Sequence, residues 1–352
     1  MIDVIRSGLL SSVQDSGRHG YRHEGVAQSG ALDALALEVG NRLVGNRPGT
    51  AGLEMTVGPI VLRFLRATRI ALTGAEFGAT LDGKPVYAWW SQPVQAGQEL
   101  VLPAARYGMR SYLCVAGGID VLPVLGSRST DLAAGFGGLG GRALRDGDRL
   151  PVGSPGAQAC INGFSPEAPA FGIKAPGWCN FTRQQEPLRH IWSAAAGSAS
   201  AVEFRVLICP EYSHFTREAK HTFWSDEWLV TANSNRMGYR LEGQALQSSS
   251  QHELLSHAVL PGTIQVPPNG QPIILMSDAQ TTGGYPKIGA VIQADLWKLA
   301  QVRLNRHIRF IPATPDEALE ALRETQRYLK QIDAAIAHHR QRDLARAASV
   351  TA

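Results

Sequence analysis

Four cysteines in 352 residues, spaced 19 to 46 apart, form no Cys-x-x-Cys pair. That pattern offers neither a zinc site nor a disulfide framework, so reduced structural thiols are expected. Lysine is scarce as well: 28 of the 34 basic residues are arginine, which leaves six lysines. The net charge is only +4 and no block of like charge occurs, which argues against a nucleic-acid-binding arm. Apolar runs such as Arg69-Ile70-Ala71-Leu72 stop far short of the ~18 residues of a membrane span. The start, Met1-Ile2-Asp3-Val4-Ile5-Arg6, lacks the basic-then-apolar layout of a signal peptide. A cytoplasmic chain with no membrane and no nucleic-acid partner is the expectation.

What is abundant is apolar residues, at 44%, and glycine, at 37 residues with 20 prolines beside it. The first excludes disorder as the dominant state, and the length suggests about two domains. The second implies many tight turns between short strands. Short alternating or apolar runs fit this at 60–64, 69–73, 111–116, 204–208 and 273–276. Leu81-Asp82-Gly83-Lys84-Pro85-Val86 reads as a hairpin with Asp-Gly at its tip, and 144–150 repeats that logic around Asp146-Gly147. Helices are fewer. One is expected from Ala31 to Val44, capped by Ser29 and stopped by Gly45-Asn46, with Leu32, Leu35, Ala36, Val39 and Leu43 on one face and Asn41 turned away. A short one covers Asp295 to Gln301. A third opens on Thr314-Pro315-Asp316-Glu317, a capping box with proline at the first helical position. Its stripe Leu322, Thr325, Leu329, Ile332, Ile336, His339 is either a short coiled-coil seam or the face that packs on its own domain. The expected fold is mainly β with a few helices: a β-rich domain at 1–153, a Pro/Gly/Ala/Ser-rich connection at 154–201, a second β domain at 202–312 and a helical tail at 313–352.

Two motifs are set aside. Gly135-Phe136-Gly137-Gly138-Leu139-Gly140 matches G-x-G-x-x-G, but a dinucleotide site needs it between a strand and a helix, and a turn follows here. His19 and His23 have helical metal-ligand spacing in a stretch that Gly17 and Gly20 make a loop. No metal ligands are assigned.

Three segments carry the polar chemistry. Gln14, Asp15 and Arg18 lie within five residues in an irregular stretch; they either brace a turn or line a polar site together with Ser29 and Asp33. In 233–241, Asn235 accompanies Arg236 and Arg240, which share a face on an extended segment and would grip a carboxylate or phosphate, unless they are solvated charges on a surface turn. Directly after the apolar strand, Asp278, Gln280, Thr281, Thr282, Gly283, Gly284, Tyr285 and Lys287 form a polar loop whose glycines let backbone N–H groups approach a ligand. Upstream, Gln265 adds an amide on a neighbouring strand. No serine or cysteine nucleophile–base pair is visible. The residues describe an amide-lined pocket for a small polar molecule.

Six ordered motifs carry a resemblance: 13–18, 29–33, Asn41 with 43–46, 53–56, 234–241 and 280–287. They resemble the biotin-dependent carboxyltransferase-like proteins. That family includes the C subunit of 5-oxoprolinase, formerly described as an allophanate hydrolase component, an antagonist of a sporulation kinase inhibitor, and part of urea carboxylase. The likeness spans roughly 3–312. It implies cyclophilin-like β-barrel domains and work in a complex with 5-oxoprolinase subunits B and A. It further implies an ATP-dependent hydrolase, active only in that complex, which opens 5-oxo-L-proline to L-glutamate after activation of the lactam amide. On that reading Arg236 and Lys287 would stabilise a transferring phosphoryl group and Asp278 would hold Mg²⁺, with ATP and Mg²⁺ shared with a partner chain. The alternatives are a carboxyltransferase component for urea or a related amide, or a non-catalytic binder of a kinase inhibitor. No Met-Lys-Met occurs, so biotin is not attached to this chain. Two turns depart from the family pattern: Cys209-Pro210-Glu211 replaces Gly-Pro, and Leu304-Asn305-Arg306 replaces Pro-Gly.

Overall fold

Alternation of apolar and polar residues produces the strands. In Ile60–Phe64 the residues Ile60, Leu62 and Phe64 are buried while Arg63 faces solvent. Asp82 and Gly83 both take positive φ, the conformation that a two-residue hairpin requires, and they join paired strands Thr80–Leu81 and Lys84–Pro85. The computed structural model describes residues 1–155, 168–175, 201–249 and 254–350. Cys160 and Cys179 lie outside them; Cys114 and Cys209 are free thiols.

Two six-stranded sheets form the N-terminal half. One runs, edge to edge, Arg149–Leu150, Ile2–Arg6, Ile60–Phe64, Glu99–Leu102, Thr80–Leu81, Lys84–Pro85. The other runs Phe171–Gly172, Trp90–Val94, Thr68–Glu76, Tyr107–Val115, Gly52–Thr56, Leu10–Gln14. The expected connection at 154–201 falls largely outside the described residues, yet its Phe171–Gly172 adds an edge strand to this second sheet. The turn at Asp146-Gly147 forms, but its return strand Arg149–Leu150 pairs with Ile2 and Asp3 instead of closing a local hairpin.

The C-terminal half is a closed seven-strand barrel: Val202–Ile208, Lys287–Val291, Thr263–Gln265, Ile273–Leu275, Gly238–Glu242, Trp228–Val230, His307–Pro312. A parallel pairing of the last strand with the first closes it. Outside the ring, His257–Ala258 and Thr282–Gly283 form a ribbon of two rungs.

The helix expected at 31–44 spans Ala34–Leu43, and its cap is Asp33, not Ser29: Asp33 Oδ1 accepts the Ala36 N–H at 2.9 Å. Asn41 is also inside, donating to the Thr50 carbonyl. The capping box of the last helix, Pro315–Val350, is reciprocal: Glu317 accepts the Thr314 N–H and Thr314 Oγ1 accepts the Glu317 N–H. Thr314→Ala is therefore expected to cost about 1 kcal/mol; an unshifted urea midpoint would show that the box contributes nothing. This helix packs on its own chain. Ile332 and Ile336 are buried against helix Ala34–Leu43, Asp333 pairs with Arg42, and the His339 ring lies 4.5 Å from that of Phe171.

Candidate functional site

The polar segments divide into two clusters. The first is a core seam between the two halves. Arg236, 3% exposed, sits just before the barrel strand Gly238–Glu242 and has its donors committed. Its Nε and Nη2 grip Asp278 at 2.9 Å each, Nη1 reaches Glu54 at 2.6 Å, and Nη2 also donates to the Gly30 carbonyl at 2.7 Å. Glu54 in turn accepts the Tyr112 hydroxyl and the Leu32 N–H. Burial alone would raise the Glu54 carboxyl, but the Arg236 and Arg110 guanidiniums and these donors outweigh it and hold it below the usual carboxylate range. The expected ligand fork is thus already filled by the chain's own carboxylates. Arg240 is exposed on its strand and does not join Arg236. Arg236 and Asp278, expected as catalytic residues, are brought together as a buried ion pair in which Asp278 presents both oxygens to Arg236.

The N-terminal motif serves the same half of the molecule. Asp15 accepts from the backbone of Gly17 and Arg128 and from the hydroxyls of Ser127 and Ser129, at 2.6–2.8 Å, so it ties two loops together. Arg18 is buried, donates to the Ser129 carbonyl and stacks 4.5 Å above Phe136. Gln14 bonds Ser12 and the Thr130 carbonyl. Ser29 adopts φ +55°, is buried, and gives its N–H to the Ser277 carbonyl. Asn235 is an exposed turn residue that accepts the Met237 N–H.

Asp33 bridges the halves, taking the Ala36 N–H on one oxygen and Gln301 Nε2 on the other. Burial pushes its carboxyl up to about 6 against the opposing pull of Gln301 and Ala36. Its folded state holds a proton more tightly than its unfolded state, so the stability it contributes is full below pH ~4 and lost as pH rises through about 6. Urea titrations of wild type and Asp33→Asn between pH 4 and 7 should differ in slope, the variant being flatter. Parallel pH dependence would dismiss Asp33 as the titrating group.

A cleft of about 600 Å³ opens between the start of helix Ala34–Leu43, the barrel and the C-terminal helix. Asp15 and Ser29 line it beside Leu35, Trp297, Leu322 and Leu329, and among the described residues no lysine or arginine does. A nucleotide's phosphates would meet no lysine or arginine among these lining residues.

The second cluster lies at the end of the barrel and gathers Gln265, Gln280 and 281–287. Gln265 and Lys287 face each other across adjacent strands, next to a register shift that sets Lys287 and Ile288 against one partner position. Lys287, 5% exposed, lies 2.6 Å from His257 Nε2 and 3.4 Å from Glu211 Oε1. Glu211 Oε1 is also 2.9 Å from His257 Nε2. Burial raises the Glu211 carboxyl, but its own N–H, Lys287 and His257 bring it below the usual range. The thiol of nearby Cys209 is pushed up by burial and by Glu211. Gln265 takes a hydrogen bond from Gln280 on its oxygen, while its buried Nε2 has no partner among the described residues. Gly283 lets that nitrogen approach closely: a Cβ there would lie 2.3 Å from it and push the Gln265 amide aside. Thr281 is buried with its carbonyl on the Val259 N–H; Thr282 and Gly283 belong to the ribbon, Gly284 adjoins the Leu254 carbonyl, and Tyr285 is half exposed. Glu211 and His257 are not legible as site residues from the sequence. The one signal for Glu211 is the turn Cys209-Pro210-Glu211, which departs from the resembled pattern.

Residues 24–312 match the model of the carboxyltransferase domain, subdomain A and B. The chain belongs to that family. It is 46% identical to the C subunit of 5-oxoprolinase from Escherichia coli over 94% of this chain and 97% of that protein. It is 41% identical to the Haemophilus influenzae protein of the same name, over the same shares. The urea amidolyase of Saccharomyces cerevisiae is 31% identical over 92% of this chain, which spans only 17% of it. Among solved structures, the urea carboxylase of Kluyveromyces lactis superposes with a TM-score of 0.79 at 27% identity, covering 94% of this chain and 29% of that one. Among the described residues, no helix is long and apolar enough to cross a membrane.

Proposed function

We propose that this chain is the C subunit of an ATP-dependent 5-oxoprolinase, a cytoplasmic enzyme that converts 5-oxo-L-proline, ATP and water to L-glutamate, ADP and phosphate. The carrying observation is 46% identity along nearly the full length of both proteins. The barrel-end cluster supports it chemically. Lys287 and the unpartnered Gln265 Nε2 are buried donors on facing strands, suited to the oxygen of a small amide. The chain acts with subunits B and A and is active only in their complex. ATP and its Mg²⁺ supply the driving force for opening the lactam. Asp278 is engaged by Arg236 and the cleft's described lining has no lysine or arginine, which supports a nucleotide site shared with a partner subunit.

The test is ADP release by this chain, alone and with subunits A and B, with and without 5-oxoproline. Turnover that needs all three chains and 5-oxoproline is expected. A second reading, a carboxyltransferase component acting on urea, draws on the match to the yeast urea amidolyase. Turnover with urea and a biotinylated carrier, and none with 5-oxoproline, would favour it. Silence in both assays with tight binding to the partner subunits would point to a regulatory binder.

A further inference from the structure

His257 carries a specific arrangement of protons. Its Nδ1 lies 3.1 Å from the Leu255 carbonyl, which only accepts, and 3.4 Å from Lys287 Nζ, which lies closer to Nε2; on these contacts we assign the hydrogen to Nδ1 and the lone pair to Nε2. That lone pair faces the Lys287 ammonium at 2.6 Å. Glu211 Oε1 waits 2.9 Å from the same nitrogen. Nε2 therefore accepts from Lys287 when neutral and donates to Glu211 once protonated. The groups facing the ring are Lys287 from the barrel strand and Glu211 from the turn Pro210–His214, with Cys209 adjoining both. The ring is about half exposed, with its side chain at 47%, so protons exchange with solvent there.

We propose that Lys287 and His257 together read one edge of a cyclic or primary amide, and that His257 is the base that takes its N–H proton. This rests on the 5-oxoprolinase reading above. In a lactam the ring forces the C=O and N–H onto the same side, whereas an ordinary secondary amide is trans and sets them on opposite sides. The O···N separation of such an edge is about 2.3 Å from the bond lengths, so a donor and an acceptor brought side by side meet both atoms at once. Donor meets carbonyl oxygen and acceptor meets N–H. One N–H of urea is also syn to its oxygen, so the same pair accommodates the substrate of the second reading.

On binding, Nζ swings from Nε2 to the amide oxygen. The N–H bond then breaks, its electron pair becomes C=N, and the C=O π pair moves to oxygen, where the Lys287 ammonium balances the charge. The proton rests on Nε2, and Glu211 holds the resulting imidazolium by accepting its hydrogen bond. What results is an imidate oxygen, a far better nucleophile than a neutral amide oxygen. Glu211 is a positioning residue in this scheme and touches no substrate.

Two readouts test it in the reconstituted three-subunit complex. Without nucleotide, calorimetry should show 5-oxoproline binding about 10-fold or more tightly than its N-methyl derivative and its lactone analogue, which lack the N–H. His257→Phe should erase that difference. With ATP, His257→Gln should keep KM within about threefold, since its amide oxygen still accepts, and lose about 100-fold or more in kcat. Glu211→Gln should lower kcat and move the acid limb of the kcat profile to lower pH. Equal affinity for lactam and lactone, or an unchanged kcat and pH profile in His257→Gln, overturns the proposal alone. A wild-type complex that neither binds nor turns over 5-oxoproline overturns the reading beneath it.

Discussion

Replacing Arg236 by methionine should destabilise the chain by about 3–5 kcal/mol, enough to prevent folding of a marginal domain. The side chain is 3% exposed and bridges Asp278 of the C-terminal half to Glu54 and the Gly30 carbonyl of the N-terminal half. Its loss would strand two carboxylates out of water, with Arg110, 3.6 Å from Glu54, left as the remaining cation. The penalty belongs to the stranded charges rather than to the missing contacts. Adding Glu54→Gln and Asp278→Asn to Arg236→Met should therefore recover part of the loss, which is a non-additive result. Urea unfolding of the single and triple variants measures this. A triple variant less stable than Arg236→Met by the sum of its parts would rule out the charge argument. Full wild-type stability of Arg236→Met would remove the structural assignment and return this arginine to the candidate ligand site.

Lys287→Met should leave the fold standing and remove activity. Methionine fills the volume of the lysine stem, and Glu211 keeps His257 as a partner at 2.9 Å. What disappears is a positive donor in a nearly water-free position, the kind of group whose loss costs about 10²–10³ in rate. We expect kcat of the complex to fall by about that factor, with an unaltered urea midpoint and unaltered assembly with the partner subunits. Lys287→Arg should not rescue it, because a planar fork cannot occupy the point between Glu211 and His257. Retained turnover in Lys287→Met would move the amide-binding role away from the barrel end.

Local features are the readable ones. Asp82-Gly83 and the Thr314–Glu317 box each state their conformation within four residues, and each forms. The cap of the first helix is not readable in the same way, because Ser29 and Asp33 are both good caps. The choice depends on Tyr112, whose hydroxyl takes the Asp33 N–H and so fixes where the helix starts. The candidate site is legible only in part. Gln265 and Lys287 stand out as polar residues on strands, but their pairing depends on a register shift that no spacing reveals. Arg236 and Asp278 stand out as well, and from spacing alone they pass for ligand contacts. Glu54 holds a further signal: a carboxylate in the middle of the fully buried strand Gly52–Thr56 demands a buried cation, and Arg236 and Arg110 meet it. His257 has no neighbour in sequence that marks it, since Glu211 and Lys287 reach it from other elements.

The ribbon that carries His257 has two rungs and stands outside the barrel's closed ring of hydrogen bonds. Barrel amides such as those of Ile264 and Ile274 sit among fully buried side chains and are expected to exchange with deuterium only through large-scale unfolding. Ribbon amides need only a small local opening, because two rungs of paired backbone confer little cooperativity. One end of the Lys287–His257 pair is therefore mounted on the closed barrel and the other on a short ribbon with a separate, smaller set of backbone hydrogen bonds.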